Sequence, residues 1–435
     1  MGILKGPVMN KLLENIVSRN ICLGCGTCQG VCPQNAISMI LDECSGCYVP
    51  VVNDELCINC NLCYEICPGY IVDYDFLNQS IWGAIPDNYN IGNYISGYKA
   101  YTVDDSIRYN CSSGGIITAL LIYAFQKNYI DYALVTGMSD DKPWLAKSYI
   151  AHSVEDIIRS SGSKYCLAPT NIVLQDILKT EGRYAVVGLP CHIHAIRKAQ
   201  LKIPKLKKRI KYLFGLFCAS GRSLNGLKNL MNQLNIPLSS VSSLKYRGQG
   251  WPGKLEVVTI NKEQVTVKLE DYYPLMCLHN PYRCSLCHDK SSELADLSFG
   301  DLWIPEERAT IGHGKSICIV RNKISASLFH SASRDGVISI SEIDESEIVR
   351  AIQPENKKRL ISARIVLCRA VRLRKKGVPI VTASLEKYSF LDLLSAIKYY
   401  TVQYICKNNF GLKVYLMSRS KYRKIHIKRA RLFSV

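Results

Sequence analysis

The spacing C-x2-C-x2-C-x3-C-P occurs twice near the start of this chain, and it constrains the fold more than anything else in the sequence. The first run is Cys22, Cys25, Cys28 and Cys32 before Pro33; the second is Cys57, Cys60, Cys63 and Cys67 before Pro68. This is the pattern of thiolates that hold a pair of cubane [4Fe–4S] clusters. Three thiolates in a tight turn face three irons of one cube, and the fourth, opening the next segment, points to the other cube. The expected ligand sets are therefore Cys22, Cys25, Cys28 and Cys67 for cluster I, and Cys57, Cys60, Cys63 and Cys32 for cluster II. Gly24 and Gly26 let the backbone approach sulfide and take positive φ. A zinc knuckle draws on C-x2-C pairs, and a disulfide framework belongs to a small secreted chain. Neither matches two tandem four-cysteine runs that each end in proline.

The chain has 435 residues, enough for two or three domains. Its first twenty residues carry Lys5, Lys11, Glu14 and Arg19 around no apolar centre, unlike a signal peptide. The longest apolar run, residues 114–125, is shorter than the about 20 residues a spanning helix needs. The expectation is a soluble, cytoplasmic protein, in which twenty cysteines favour metal over disulfides. The formal charge is +19 and unevenly placed: residues 401–435 hold nine Lys or Arg and no acid, and residues 357–376 form a second basic cluster. This fits an acidic partner protein, an anionic cofactor, nucleic acid or an anionic membrane surface, and equally a solvated helical face. With no recognition motif present, nucleic acid is not expected.

In chain order, residues 1–80 read as a short lead-in helix and a two-cluster bacterial ferredoxin-like module. Its connecting hairpin carries an extra C-x2-C, Cys44 and Cys47, which lacks two further ligands and reads as an unused thiol pair. Residues 81–100, with Trp82, Pro86, Gly92 and Gly97, read as a linker. An apolar helix follows Gly115 to about residue 126. Strands are expected at 131–138, 184–188 and 210–217, with helices after them; Thr170 caps a helix to residue 178. This alternation predicts an α/β domain with a mainly parallel sheet over residues 81–236. Residues 237–380 turn to strands, among them 255–260, 264–269 and 316–320. From residue 354 the chain reads as helical, ending in a basic helical tail, residues 381–435. The expected class is thus α+β / α/β: a ferredoxin-like module, an α/β domain and a helical C-terminal region.

Cys191 and Cys218 fall just past the C-terminal ends of predicted strands, the edge where open α/β sheets bind ligands. Cys284 and Cys287 add a C-x2-C pair. Four thiolates suit one more cube. Spacing alone leaves core thiols, a redox pair or zinc open.

From residue 22 to about residue 379 the chain resembles the coenzyme F420-reducing hydrogenase/dehydrogenase beta-subunit family. The matching segments are Ser112-Ser113-Gly114-Gly115, Gly162-Ser163-Lys164-Tyr165, Val187-Gly188-Leu189-Pro190-Cys191 and Phe217-Cys218. Tyr246-Arg247-Gly248, Gly250-Trp251-Pro252-Gly253, Arg283-Cys284-Ser285-Leu286-Cys287 and residues 295–303 complete them. The resemblance implies a flavin, usually FAD (or FMN), beside a third cluster held by Cys191, Cys218, Cys284 and Cys287. Ser113, Gly114 and Gly115 precede a helix, whose N-terminus favours phosphate. Gly162, Ser163, Lys164 and Tyr165 offer donors, a cation and a ring to pyrophosphate and isoalloxazine; Gly188 and Trp251 are further cofactor contacts in the matching motifs. The chain departs from the family pattern at His192, with His194 beyond it; either is a candidate proton donor near a flavin, but both read first as partly exposed helix-start histidines. It departs also at Cys44 and Cys47, and in the tail, where Leu391, Leu394, Ile397 and Tyr400 form one apolar face that packs on the body or meets a partner. No catalytic residue is singled out. The function implied is an oxidoreductase passing electrons between a flavin-bound two-electron substrate, coenzyme F420 among the candidates, and one-electron carriers. The alternative is a non-catalytic electron-transfer subunit. The expected partners are a redox protein and a small-molecule hydride donor or acceptor, with a membrane surface within reach of the basic tail.

Overall fold

The computed structural model describes residues 10–308, 312–371, 378, 380–381, 386–407, 411–412, 414–415 and 427–431. Each cysteine run folds into a short helical turn, Thr27–Gly30 and Leu62–Glu65, entered through a left-handed residue: Gly26 at φ 81° and Asn61 at φ 60°. Gly24 and Asn59 repeat the device two residues earlier, at φ 65° and 54°. The second run meets with asparagine, which tolerates this region, the demand the first meets with glycine. An antiparallel hairpin, Ile37–Asp42 with Cys47–Val52, joins the runs.

The body is built on one eight-stranded sheet. Its strands, in chain order, are β1 (Ser96–Thr102), β2 (Tyr132–Met138), β3 (Ala146–Ala151), β4 (Tyr184–Gly188), β5 (Ile210–Leu216), β6 (Leu297–Asp301), β7 (Ser316–Val320) and β8 (Ile338–Ile343). Their order across the sheet is β8-β1-β7-β6-β5-β4-β2-β3. Only the centre is parallel: β2 with β4, β4 with β5 and β5 with β6. The β2–β3, β6–β7, β7–β1 and β1–β8 pairs are antiparallel. The expected mainly parallel sheet is therefore corrected to a mixed one. The strand–helix alternation holds only between residues 132 and 216. The connection from β2 to β3 is too short for the dozen or more residues a crossover needs, so β3 returns as a hairpin.

The expected linker, residues 81–100, ends instead inside the sheet. Tyr98, Ala100 and Thr102 of β1 are buried, and Gly97 lies where a Cβ would sit 2.5 Å from Ile348 Cδ1. Period-two alternation was present there, masked by small and basic residues. The sheet takes strands from both sides of residue 236, so the two expected parts form one folded unit.

Helix α1 (Ile116–Gln126) packs on one face of the sheet with Tyr98, Phe214, Phe299 and Phe329. The other face is shared. Leu134, Val186, Ile193 and Leu213 of the body form one core with Val31, Ile66, Val72 and Leu77 of the cluster module. Each such side chain contributes about 1.5–3 kcal/mol when fully buried, so the module is fused to the body by apolar packing.

A second, antiparallel sheet orders Ile427–Arg431, Glu263–Lys268, Lys254–Thr259 and Val241–Lys245. The tail expected to be helical thus ends its described part as a strand. An open edge at Glu263–Lys268 invites pairing, and the sequence there alternates Ile425, Ile427 with His426, Lys428. Pro354–Ala370 (α2) and Phe390–Ile405 (α3) are helices, whereas Ile380–Val381 between them is a strand paired parallel with Ile71–Val72. Residues 372–377, 379, 382–385, 408–410, 413, 416–426 and 432–435 of the region read as helical lie outside the described residues.

Candidate iron–sulfur and cofactor site

The turns of the two cysteine runs set their thiols into two groups. Cys22 lies in the electrostatic field of Cys67 and Cys25, and Cys28 in that of Cys25, Cys22 and Cys67. Cys63 lies among Cys60, Cys32 and Cys57, and these four line one cavity. The fourth cysteines are exchanged between runs. Burial, then repulsion from Cys60, pushes the Cys63 thiol up to about 12; burial, then Cys25, pushes Cys67 up to about 11. Thiols so placed do not ionise together unless a cationic core sits among them, which is the chemistry of an iron–sulfur cube. Donors already point at sulfur: Gly24 N–H to Cys22 Sγ and Gly69 N–H to Cys67 Sγ, both at 3.3 Å, and Ala36 N–H to Cys32 Sγ at 3.4 Å.

Cys191 opens the helix Pro190–Lys202 straight after β4, and Cys218 follows β5. Cys284 lies within the tight turn Arg283–Leu286 and Cys287 follows it directly. Burial raises the Cys191 thiol, with further contributions from Cys25, Cys284, Cys218 and Cys287. Cys218 is pushed up to about 12 by burial, against the pull of the Lys357 ammonium, and Cys284 to about 11 by burial and then Cys287. The structure therefore brings all four together, from both sides of the sheet's sequence. Lys357 fixes this wall, its Nζ donating to the Cys218 carbonyl at 2.9 Å and the Asp289 carbonyl at 2.7 Å. Among the described residues no group of three His, Cys, Asp or Glu side chains could hold a single metal ion. A cube, with an iron at each of four corners, asks for thiols set apart around it.

The third set abuts the first. The buried Asn171 amide donates to Thr27 Oγ1 at 2.8 Å and to the His192 carbonyl at 3.0 Å, while its backbone N–H meets the Cys25 carbonyl at 2.9 Å. Lys198, farther along the Cys191 helix, donates to the Cys67 carbonyl at 3.0 Å. His192 and His194, expected to be partly exposed, are both buried. They point to opposite sides of a helix start that is covered all round, and burial lowers His192 to about 4. His192 Nδ1 accepts from the Leu189 N–H at 3.2 Å, a local cap. His194 packs on the Tyr74 ring, centroids 5.5 Å apart. Cys47 lies in the fields of both Cys22 and Cys284; Cys44 is exposed, its carbonyl held by Asn225 at 3.0 Å.

The loops assigned to the flavin also converge. Ser112 Oγ accepts from the Ser163 N–H at 2.7 Å. Arg247, buried, donates to Asp301 at 2.5 Å, to Tyr165 Oη at 3.3 Å and to the Ser112 carbonyl. Trp251 and Trp303 stack with centroids 4.5 Å apart beneath the same guanidinium. Gly115, Gly162, Gly250 and Gly253 all carry left-handed φ there, between 73° and 90°. At Gly162, Gly250 and Gly253 a Cβ would face the main chain of Arg247, Gly312 and Gly248 at 3.5, 3.1 and 3.0 Å, so these backbones pass close to one another. Ser113 Oγ and Gly114 N–H contact Ser316 Oγ at 3.1 and 3.0 Å. Lys164 does not fit its expected role. Its ammonium caps the carbonyls of Ser160, Ser161 (2.8 Å) and Gly162 (3.0 Å), and burial lowers it to about 8. Gly188 sits away from these loops, beside His192 Cβ in the turn that leads to Cys191. Tyr165 packs on Tyr273, centroids 4.9 Å apart, and Tyr273 lies in the field of Cys218, so the flavin loops and the third thiol set are neighbours. Sequence reasoning missed Asn171, Lys357, Tyr273 and Arg222, whose guanidinium donates to Tyr273 Oη at 2.8 Å; no spacing marks them, because each acts through the tertiary contacts of one side chain.

A ferredoxin-type module docked on a mixed α/β body defines the class: an iron–sulfur protein of the oxidoreductase type. Residues 97–175 and 181–346 match the families described as coenzyme F420 hydrogenase/dehydrogenase, beta subunit N-term and C terminus, and residues 16–38 a 4Fe-4S binding domain. The chain belongs to the coenzyme F420 hydrogenase/dehydrogenase beta-subunit family. It is 30% identical to an uncharacterized protein of Methanocaldococcus jannaschii over 80% of this chain and 97% of that protein. To the coenzyme F420 hydrogenase subunit beta of Methanosarcina barkeri it is 29% identical over 60% of this chain and 86% of the relative. It also resembles a coenzyme F420-dependent sulfite reductase of M. jannaschii, at 26% identity over 77% of this chain and 49% of that protein. A chain in a solved structure of the F420-reducing [NiFe] hydrogenase complex from M. barkeri superposes with a TM-score of 0.55 at 26% identity. That match covers 68% of this chain and 99% of the other.

Proposed function

We propose that this protein is an iron–sulfur flavoprotein that moves electrons between a two-electron substrate and a one-electron partner protein. The observation that carries the reading is the row of thiol sets. Cys63 of the second set adds to the field at Cys28 of the first, and Cys25 of the first to the field at Cys191 of the third. Cys218 of the third reaches Tyr273, which packs on Tyr165 of the flavin loops. Bound groups at these places supply hydride chemistry at one end and single-electron exchange along the row.

The chain's own part is to hold and insulate. The twelve cysteines hold three cubes, and the serine and glycine loops at residues 112–115, 162–163 and 247–253 hold the flavin. N–H donors on sulfur tune each cube, and Arg283 and Asn171 keep the first and third sets in fixed register. Cys60 is exposed, which makes the second set the end that meets the partner protein. Coenzyme F420, which the names of several relatives carry, is the candidate hydride carrier. Anaerobic iron, sulfide and flavin quantitation tests the reading: about twelve irons and one flavin per chain are expected, and about eight irons removes the third cluster.

The capping role of Lys164 favours a second reading, a non-catalytic electron-transfer subunit, since the expected cation is not offered to pyrophosphate. Reduction of a hydride acceptor by the isolated chain separates the two.

A further inference from the structure

We infer that helix α3 is a docking face for an anionic lipid surface, on which the protein lies without crossing it. The helix is begun by a capping box: Ser389 Oγ accepts from the Asp392 N–H at 3.2 Å, and Asp392 accepts from the Ser389 N–H at 2.8 Å. Arg359 of α2 pins the same carboxylate at 2.9 Å. The inner face is committed to the body. Tyr400 Oη meets Ser285 Oγ at 3.1 Å, Asn280 donates to Tyr399 Oη at 3.2 Å, and Gln403 donates to the Cys277 carbonyl at 3.2 Å. Tyr400, grouped in the sequence with the apolar stripe, thus faces the wrong way for it and buttresses the turn that carries Cys284 and Cys287.

The outer face is bare. Phe390 is 72% exposed, Leu391 71%, Leu394 and Ile397 45% each, and Tyr404 72%. Positions 390, 394, 397, 401 and 404 follow the spacing of a single helical stripe, and aromatic rings stand at both of its ends. Beyond its first turn the charge in the sequence is of one sign. After Asp392 the sequence has ten Lys or Arg and no Asp or Glu, and Lys387, Lys398 and Lys407, on or next to the helix, are exposed. An apolar stripe with aromatic ends, flanked by exposed lysines and followed by a sequence without acids, is the composition of an interfacial helix, and the cations match an acidic leaflet. Among the described residues no helix is long and apolar enough to cross a membrane, and α3 at 16 residues is about 24 Å long.

The inference stands apart from the electron-transfer reading, and one experiment separates them. Full-length, cluster-loaded protein is sedimented with phosphatidylcholine vesicles and with vesicles containing about 30% phosphatidylglycerol. Pelleting with the anionic vesicles only, weakened by high salt, is expected. Leu391→Glu with Leu394→Glu should weaken it about tenfold, and Phe390→Ser with Tyr404→Ser should weaken it too, each variant keeping its iron and visible absorbance. Absence of pelleting with either vesicle overturns the inference. So does pelleting that both variants retain, which assigns it to the basic tail alone, or a lipid-free dimer that both variants abolish, which assigns the stripe to a second copy. Iron content, read on the same samples, reports on the electron-transfer reading whatever the vesicles do.

Discussion

Arg283 donates its Nε–H to the carbonyl oxygen of Gly69 at 2.8 Å, joining the residue before the Cys284 thiol to the loop that follows Cys67. The guanidinium also reaches the carbonyls of Pro68 and Leu286, each at 3.2 Å, and is buried. One side chain thus clamps the first thiol set to the third. Arg283→Met leaves buried carbonyls without donors, at about 1–3 kcal/mol for each one stranded. Guanidinium unfolding followed at the visible absorbance should shift by about 3 kcal/mol, with faster bleaching by an iron chelator.

Cys191→Ser tests the third set without touching the first two. About four irons per chain should be lost, with the remaining clusters still reducible. Loss of all iron would mean that the third set is needed for the fold of the module itself.

Gly30 marks where the module meets the body. A Cβ there would sit 2.0 Å from the Asn171 carbonyl oxygen, a backbone atom that cannot swing aside. Gly30→Ala should destabilise by about 1–3 kcal/mol or more. Proteolysis should then cut between the module and the sheet sooner than in the wild type.

Lys164 gives a pH signature. Burial lowers its folded value to about 8, against 10.5 for the free side chain. Below pH 8 both folded and unfolded chains hold the proton, and its contribution is flat. Between about pH 8 and pH 10.5 the unfolded chain holds a proton that the folded one has released, so this group makes stability rise with pH. Urea unfolding at pH 7.5 and pH 10 should show a gain of about 1–3 kcal/mol from this residue, absent in Lys164→Met.

Arg247 ties together, through Asp301, Tyr165 and Ser112, the loops proposed to hold the flavin. Arg247→Lys keeps the charge and loses the planar fork. It should lower flavin content several-fold while leaving iron unchanged, as read from absorbance and metal analysis on one preparation.

The grouping of the first eight thiols was legible because cubane chemistry fixes spacing tightly, and the expected exchange of Cys32 and Cys67 matches the neighbours those thiols have in the fold. Strands such as β4 and β7 were legible as short apolar runs. β1 was not: its buried face is Tyr98, Ala100 and Thr102, and the other face bears Lys99, so it lacks the apolar density of a core strand. The antiparallel flanks of the sheet were also hidden, since the pairing of β1 with β7 and β8 is decided by contacts far apart in sequence. The role of Lys164 was misjudged because a cation beside a glycine turn reads as a phosphate ligand, whereas the helix end before it claims the ammonium. Asn171 carries no motif; only the fold places its amide between two thiol sets.

Strand β1 is wedged between β7 and β8, both made long after it. The module's eight thiols likewise come before Leu134, Val186, Ile193 and Leu213, on which the module packs, while Cys284 and Cys287 come after those residues and before β7 and β8. In chain order the module's eight thiols precede the body they sit on, and the third thiol set is complete only at residue 287, some two thirds of the way along the chain.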